Sequence, residues 1–418
     1  MASQNPGTPS KRVLTAKDLD NSLSNMAPAT RAIHADDFYS PHRAIAPAMH
    51  VAVNYRYARD PDDLVPMENR DPNAPHDSHT YARESAPNSN RFEHLLKSIF
   101  GGHVVSYCSG LAAFHAAMVF LNPKRIFVTE GYHGIHGVID VMIKLTGLKK
   151  LTLEDLSQLE AGDVVHVETP LNPTGEARNI AFFAAKAHAA GAYLTVDSTF
   201  GPPPLQDPLQ LGADIVLHSG TKYVSGHSDM LCGLLVIHPD RVERGWVETL
   251  YSERMVLGTT MGSLEGWLGL RSIRTLNLRV KRQSETCTKL VAWLQQEMQD
   301  KDSVIGKTLD RLQHASLQED ALSEGWLQEQ MHGGFGSVFC MWMKNGNDHA
   351  KRLPSRVRVF QHATSLGGVE SLMEWRAMSD RGCDPRLIRV SCGIEELCDM
   401  KSDLKQALQS LLEDFPLD

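Results

Sequence analysis

The residues with the most chemical capacity crowd into one stretch, Leu217-His-Ser-Gly-Thr-Lys222-Tyr-Val-Ser-Gly-His-Ser. A lysine that follows an apolar strand starts partly desolvated, which favours its neutral amine and suits it to imine formation. Ser219 and Thr221 set hydroxyl donors on alternate positions, as a phosphate requires. Alone, the segment is weak, because most lysines are solvated. Upstream, Ala192-Tyr-Leu-Thr-Val-Asp197-Ser-Thr-Phe-Gly ends an apolar run in an aspartate. Open α/β sheets bind ligands at such strand ends, although an aspartate before Ser and Thr also caps turns. Ser106-Tyr-Cys-Ser109-Gly110-Leu111 runs into an Ala-rich helix whose first N–H groups suit an anion. Tyr132, in Glu130-Gly-Tyr-His-Gly134, either stacks on a ring or packs at a strand end.

Pyridoxal phosphate needs a lysine for its imine and a carboxylate against its ring nitrogen. Lys222 and Asp197 are of those types, each at the end of a strand.

The elements that must position these residues follow from the pattern. Strands are expected at Val104–Cys108, Arg125–Thr129, Val164–Glu168, Ala192–Asp197, Ile215–His218 and Leu231–His238, with helices at Leu111–Leu121 and Ile180–Ala190 between. Strands alternating with helices predict βαβ crossovers and a largely parallel sheet covered on both faces. Beyond 258 the texture changes to amphipathic helices, Leu264–Lys281 and Ser284–Gln299, then strands near Ser337–Met343 and Leu387–Ser391 and a helix Met400–Leu412. That predicts a smaller α+β domain over 259–418, after a large domain over 81–258. Residues 1–28 read as a loose extension, and 58–80, with four prolines, as a long irregular loop.

Composition narrows the classes. With 42% hydrophobic and 22% charged residues, 418 residues form a large core. A net charge of −8 disfavours nucleic-acid binding. The apolar run Ala112–Leu121 is too short for a membrane span, and the N-terminus lacks a signal-like apolar stretch, so a cytoplasmic protein is expected. The seven cysteines contain no C-x-x-C and read as reduced thiols. The histidines show no metal-ligand spacing, so no metal site is expected. Trp375-Arg376 reads as a surface pair.

The segments YCSGLAA, ETPLNPTG, VDSTFGPPP, LHSGTKYVSGHSD and SLGGVESL, in this order from about Thr30 onward, resemble the Cys/Met-metabolism family of pyridoxal-phosphate enzymes. The resemblance implies a fold-type I enzyme: a large α/β domain with a mostly parallel seven-stranded sheet, plus the smaller α+β domain. By position, Lys222 resembles the imine-forming lysine and Asp197 the partner of the ring nitrogen, with Thr199 beside the ring and Tyr132 stacked on it. Gly110, Leu111, Ser219 and Thr221 match phosphate contacts. Tyr81 and Arg83 match a Y-x-R element that reaches the phosphate of a neighbouring subunit. This implies a dimer or tetramer in which residues 1–80 form an extension and arm serving the neighbour. Arg389 matches the arginine that takes a substrate α-carboxylate, and Asn172 and Ser365 match residues that place substrate.

Within that family the implied reaction is γ-replacement on an O-acyl-L-homoserine, O-acetyl-L-homoserine above all, through a vinylglycine-type intermediate. Cysteine or a carbon nucleophile such as a β-keto acid is the second substrate. Lys222 moves protons and Tyr132 serves the departing or attacking group. Three departures leave the nucleophile open. Thr364 stands where several relatives have Glu. Gly137 stands where bacterial γ-synthases carry an arginine for the nucleophile's carboxylate. Met-Glu-Trp375-Arg376 replaces the usual segment containing His-Pro, most like a fungal cystathionine-γ-synthase-like branch. A lyase acting on cystathionine or methionine is the alternative. A non-catalytic relative is a further one, which joint retention of Lys222, Asp197 and Arg389 opposes.

Overall fold

The computed structural model describes residues 21–37, 44–69, 79–344 and 346–416. The expected N-terminal extension lies outside these as far as residue 20. Of the 58–80 loop, two short 3-10 turns are described, Pro61–Asp63 and Met67–Asn69.

Seven strands build the large sheet: β1 His103–Tyr107, β2 Arg125–Phe127, β3 Lys149–Leu151, β4 Val164–Glu168, β5 Tyr193–Asp197, β6 Ile215–Ser219 and β7 Gly233–Ile237. Their order is β1-β7-β6-β5-β4-β2-β3, and β7 alone runs against the others. Every residue of β4 and of β7 is buried. This matches the unbroken apolar character of strands covered on both faces.

Helices α1 Pro87–Phe100, α2 Gly110–Leu121, α3 His133–Thr146 and α4 Ile180–Ala189 accompany this sheet. Ser109 caps α2, its hydroxyl accepting from the Ala112 N–H at 3.1 Å, and Asn122 ends it in the left-handed region at φ 40°. The alanines of α2 let it lie close to the sheet, where Ala113, Ala116 and Ala117 are buried with Phe114.

The expected helical break near 282 falls earlier. The helices are α5 Ser263–Ile273 and α6 Leu276–Glu297. At the junction Thr275 turns out of helical geometry, its hydroxyl donating to the Ser272 carbonyl at 3.2 Å. Arg274 is drawn aside to the buried Asp36 carboxylate at 3.0 Å. The boundary expected at 258 does not coincide with a change of core. Leu270, Ile273, Leu276 and Val280 pack into the core of the seven-stranded sheet, and the second core begins at Cys287 on the same helix.

That second core lies under an antiparallel sheet of order β10-β11-β9-β8, formed by β8 Leu309–Gln313, β9 Val338–Met343, β10 Leu372–Trp375 and β11 Leu387–Ser391. Helix α7 Leu397–Asp414 contributes Met400, Leu404, Leu408 and Leu411 to it. The sequence pattern hid β8 and β10. The register of β8 slips between Leu309 and Arg311, and β10 is only 4 residues long.

All seven cysteines are free thiols. Among the described residues no helix is long and apolar enough to cross a membrane, and no group of His, Cys, Asp or Glu is placed to hold a metal ion.

Candidate active site

Strands β4, β5 and β6 end side by side, with Glu168 paired in register to Asp197 and Asp197 to Leu217. Their carboxyl ends, the first turns of α2 and α3, and the edge of the second sheet enclose a cavity of about 400 Å³.

One end of the cavity is built for an anion. Gly110 and Leu111 open α2, so their N–H groups belong to the unsatisfied first turn, and Ser219 and Thr221 line the same wall. A Cβ at Gly110 would lie 3.2 Å from Ser219 Cβ, so glycine keeps this end open. The Thr221 hydroxyl is anchored by Cys232, accepting from its N–H at 3.0 Å and lying 3.3 Å from its carbonyl.

In the floor, Thr199 donates to Asp197 Oδ1 from its N–H (2.9 Å) and its hydroxyl (2.6 Å). The same hydroxyl accepts from the Ser219 N–H at 2.8 Å, tying β5 to β6. Both bonds to Asp197 fall on one oxygen, which leaves Oδ2 for a cationic N–H. Beside it, Glu168 accepts from the N–H groups of Tyr132 (2.6 Å) and Asn172 (2.7 Å). Burial raises the pKa of both carboxyls. The Asp197 charge raises Glu168 further, whereas the Thr199 bonds hold Asp197 back. The N–H bonds from Tyr132 and Asn172 oppose that rise without cancelling it, so Glu168 is the member of the pair whose proton is held more tightly. Its position at the end of an apolar strand, in ETPLNPTG, was the signal that could have marked it.

Tyr132 stands at the N-cap position of α3 without a side-chain capping bond and lines the cavity, its ring 4.7 Å from that of His133. The ring lies so close over the first turn that a Cβ at Gly134 would come within 2.5 Å of it.

Lys222 faces this floor. Its Nζ donates to Ser365 Oγ at 2.9 Å, and its pKa falls to about 8, first through burial and then through the charge of Arg389, with Glu374 opposing. Ser365 also connects to Arg389, whose Nη2 donates to the Ser365 carbonyl at 2.9 Å while Nη1 donates to Asn172 Oδ1 at 3.0 Å. Arg389 is 4% exposed and pairs with Glu374 Oε2 at 2.7 Å. Thr364 completes this rim.

The sequence-derived residues of the large domain that line this cavity thus meet Thr364 and Ser365 from the segment before β10 and Arg389 from β11. Tyr81 and Arg83 do not line it. Both are exposed, and the Arg83 guanidinium lies 5.3 Å over the Tyr81 ring. Arg376 corrects the reading of a surface pair with Trp375: it is 2% exposed and lines the cavity with Ser379.

The family model for the Cys/Met metabolism PLP-dependent enzymes matches residues 29–409. The chain belongs to that family. It is 32% identical to a cystathionine gamma-synthase of Mycobacterium bovis, over 91% of this chain and 96% of the relative. It is 28% identical to a cystathionine gamma-lyase of Saccharomyces cerevisiae, over 91% of this chain and 97% of that one. Among solved structures, cystathionine gamma synthase from Xanthomonas oryzae pv. oryzae, in complex with aminoacrylate and cysteine, superposes with a TM-score of 0.80. It is 25% identical and covers 94% of this chain and all of its own.

The fold is therefore that of fold-type I pyridoxal-phosphate enzymes, and the protein is a pyridoxal-phosphate-dependent enzyme of the cystathionine gamma-synthase and lyase family. The donor set fits the cofactor: a helix N-terminus with hydroxyls for a phosphate, a carboxylate with one free oxygen for a ring nitrogen, and a desolvated amine for an aldehyde. When bound, the cofactor supplies an electron sink for charge developing at the substrate Cα.

Proposed function

We propose that this chain catalyses γ-replacement on an O-acyl-L-homoserine, O-acetyl-L-homoserine in the first instance, with cysteine or a carbon acid such as a β-keto acid as second substrate. The observation that carries this is the bridge at Ser365, whose hydroxyl accepts from Lys222 and whose carbonyl accepts from Arg389. One residue ties the amine that moves protons to the guanidinium that takes an α-carboxylate. An amino acid held at Arg389 by its α-carboxylate presents its Cα toward Lys222. A neutral amine there can take the Cα proton and return it elsewhere as a general acid. Asp197 Oδ2 holds the proton on the ring nitrogen, and Tyr132 at the far lip serves the group that leaves or attacks. Similarity to a cystathionine gamma-synthase over nearly the whole chain supports replacement.

Incubation with O-acetyl-L-homoserine, with and without cysteine, followed by mass spectrometry, tests the reading. Acetate with cystathionine only when cysteine is present supports it, and acetate with a new adduct to a supplied β-keto acid supports the carbon branch. No acetate release would overturn it. Elimination from cystathionine or methionine is the second reading, which similarity to a cystathionine gamma-lyase over 91% of this chain supports. Ammonia release from those amino acids without any nucleophile would establish it.

The same proposal extends to assembly. Tyr81 and Arg83 stand outside their own cavity, and the segment leading to them exposes Ile45 (95%), Val51 (79%) and Tyr57 (66%), apolar surface that a neighbouring subunit would cover. Mixed refolding of Lys222→Ala and Arg83→Ala subunits should restore activity in hybrids if Arg83 serves a neighbour's phosphate. No gain would contradict a shared site.

A further inference from the structure

A second guanidinium faces the cavity that holds Arg389. Arg376 opens the turn after β10, and its side chain is only 3% exposed. Its Nη1 donates to Glu374 Oε2 at 3.1 Å and to Ser379 Oγ at 3.1 Å, and its Nη2 lies 3.4 Å from Asp380 Oδ2. Its Nε is buried and has no hydrogen-bond partner. Glu374 Oε2 is already engaged by Arg389 at 2.7 Å, so two buried guanidinium groups lean on one buried carboxylate. Asp380 offsets them from the edge, with its side chain 29% exposed. A buried guanidinium N–H without an acceptor is costly, and a guanidinium in a cavity wall suits a planar anion.

We propose that Arg376 receives a second carboxylate of the reacting pair, distinct from the α-carboxylate that Arg389 takes. The carboxylate belongs either to the attacking nucleophile or to the acyl group that leaves. The assignment to one of those molecules rests on the γ-replacement reading; the carboxylate preference itself does not. Arg376 acts by binding, so its removal shifts recognition of one carboxylate selectively. A residue that merely steadied Glu374 and Arg389 would weaken all amino-acid substrates alike.

The test uses the holoenzyme and its Arg376→Gln and Arg376→Lys variants. With O-acetyl-L-homoserine as donor, KM is compared for cysteine and for cysteamine, which lacks the carboxylate. In a second arm, O-succinyl-L-homoserine is compared with O-acetyl-L-homoserine. Arg376→Gln should raise KM for the carboxylated member of one pair about tenfold more than for its neutral counterpart, the size of a lost charge-assisted bond. Arg376→Lys should restore part of that loss. Selectivity in the first arm assigns the nucleophile, and selectivity in the second assigns the acyl group.

If no acetate is released, the γ-replacement reading has failed, and binding is then read from the visible absorption of the holoenzyme titrated with L-2-aminoadipate and with L-norleucine. A preference for the dicarboxylate that disappears in Arg376→Gln upholds the second carboxylate site. Equal losses within every pair, unchanged constants, or a preference retained by Arg376→Gln would overturn it.

Discussion

Glu168 and Asp197 are register partners at the ends of adjacent parallel strands, two buried carboxyls on the floor of one cavity. Their environments separate their roles. Glu168 accepts from two backbone N–H groups that favour its charged form, but burial and the neighbouring Asp197 charge outweigh them and raise its pKa. Asp197, with two Thr199 bonds on one oxygen, is the member prepared to carry charge.

Removing that charge tests the division. Asp197→Asn keeps an oxygen for Thr199 but cannot hold a ring nitrogen protonated. Turnover should fall by about 10²-fold or more, the cost of losing one preorganised electrostatic contact, and cofactor affinity should drop with it. Steady-state kinetics and equilibrium dialysis of the cofactor check this, and unchanged rates would refute the role.

The Glu168 prediction concerns the apoprotein. A carboxyl whose pKa rises on folding costs stability as pH climbs from its unfolded value toward the folded value of about 8. Glu168→Gln loses one acceptor and should be less stable at pH 5. Its deficit should shrink as pH rises to 8, because only the wild type then bears a buried charge. Thermal melts at several pH values read the difference, and a constant gap would contradict a raised pKa.

Lys222 gives a kinetic counterpart. Capture of the cofactor aldehyde needs the neutral amine, whose fraction in the apoprotein rises through about pH 8 because burial has lowered the pKa. The rate of recombination with pyridoxal phosphate, followed in the visible range, should reach half its maximum near that pH. A midpoint near the value of a solvated lysine would show that the amine is not desolvated. Lys222→Ala should fold normally yet never form the covalent band, and turnover should drop by about 10³-fold or more.

Arg389 holds Asn172 and Ser365 through separate nitrogens. Arg389→Lys keeps the charge but not the fork. One lost charge-assisted bond, about 1.5–3 kcal/mol, corresponds to a KM for the amino-acid substrate raised about tenfold or more. An unchanged KM would remove Arg389 from α-carboxylate binding.

The contiguous parts of the site were legible. Lys222 with Ser219 and Thr221, Asp197 with Thr199, and Gly110 at a helix start each combine strand, turn and chemistry within a few residues. Arg376 was not legible, because its burial depends on β10, a strand of 4 residues with no apolar alternation to announce it. Glu374 and Arg376 turn inward as polar residues, and two inward charges read from sequence as a solvated face. The helix break at Thr275 was hidden for a related reason: Asp36, which holds the neighbouring Arg274, lies far away in the chain.

Helix α6 begins in one apolar core and ends in the other, with Val280 packed beneath the large sheet and Leu290 and Leu294 beneath the small one. Arg279 fastens it to the lysine-bearing loop by donating to the Tyr223 carbonyl at 2.7 Å. A beam shared in this way makes melting cooperative: neither lobe can lose its core without fraying the helix that completes the other. Loosening of the small lobe would travel to the residue after Lys222 and perturb catalysis before the large sheet gives way.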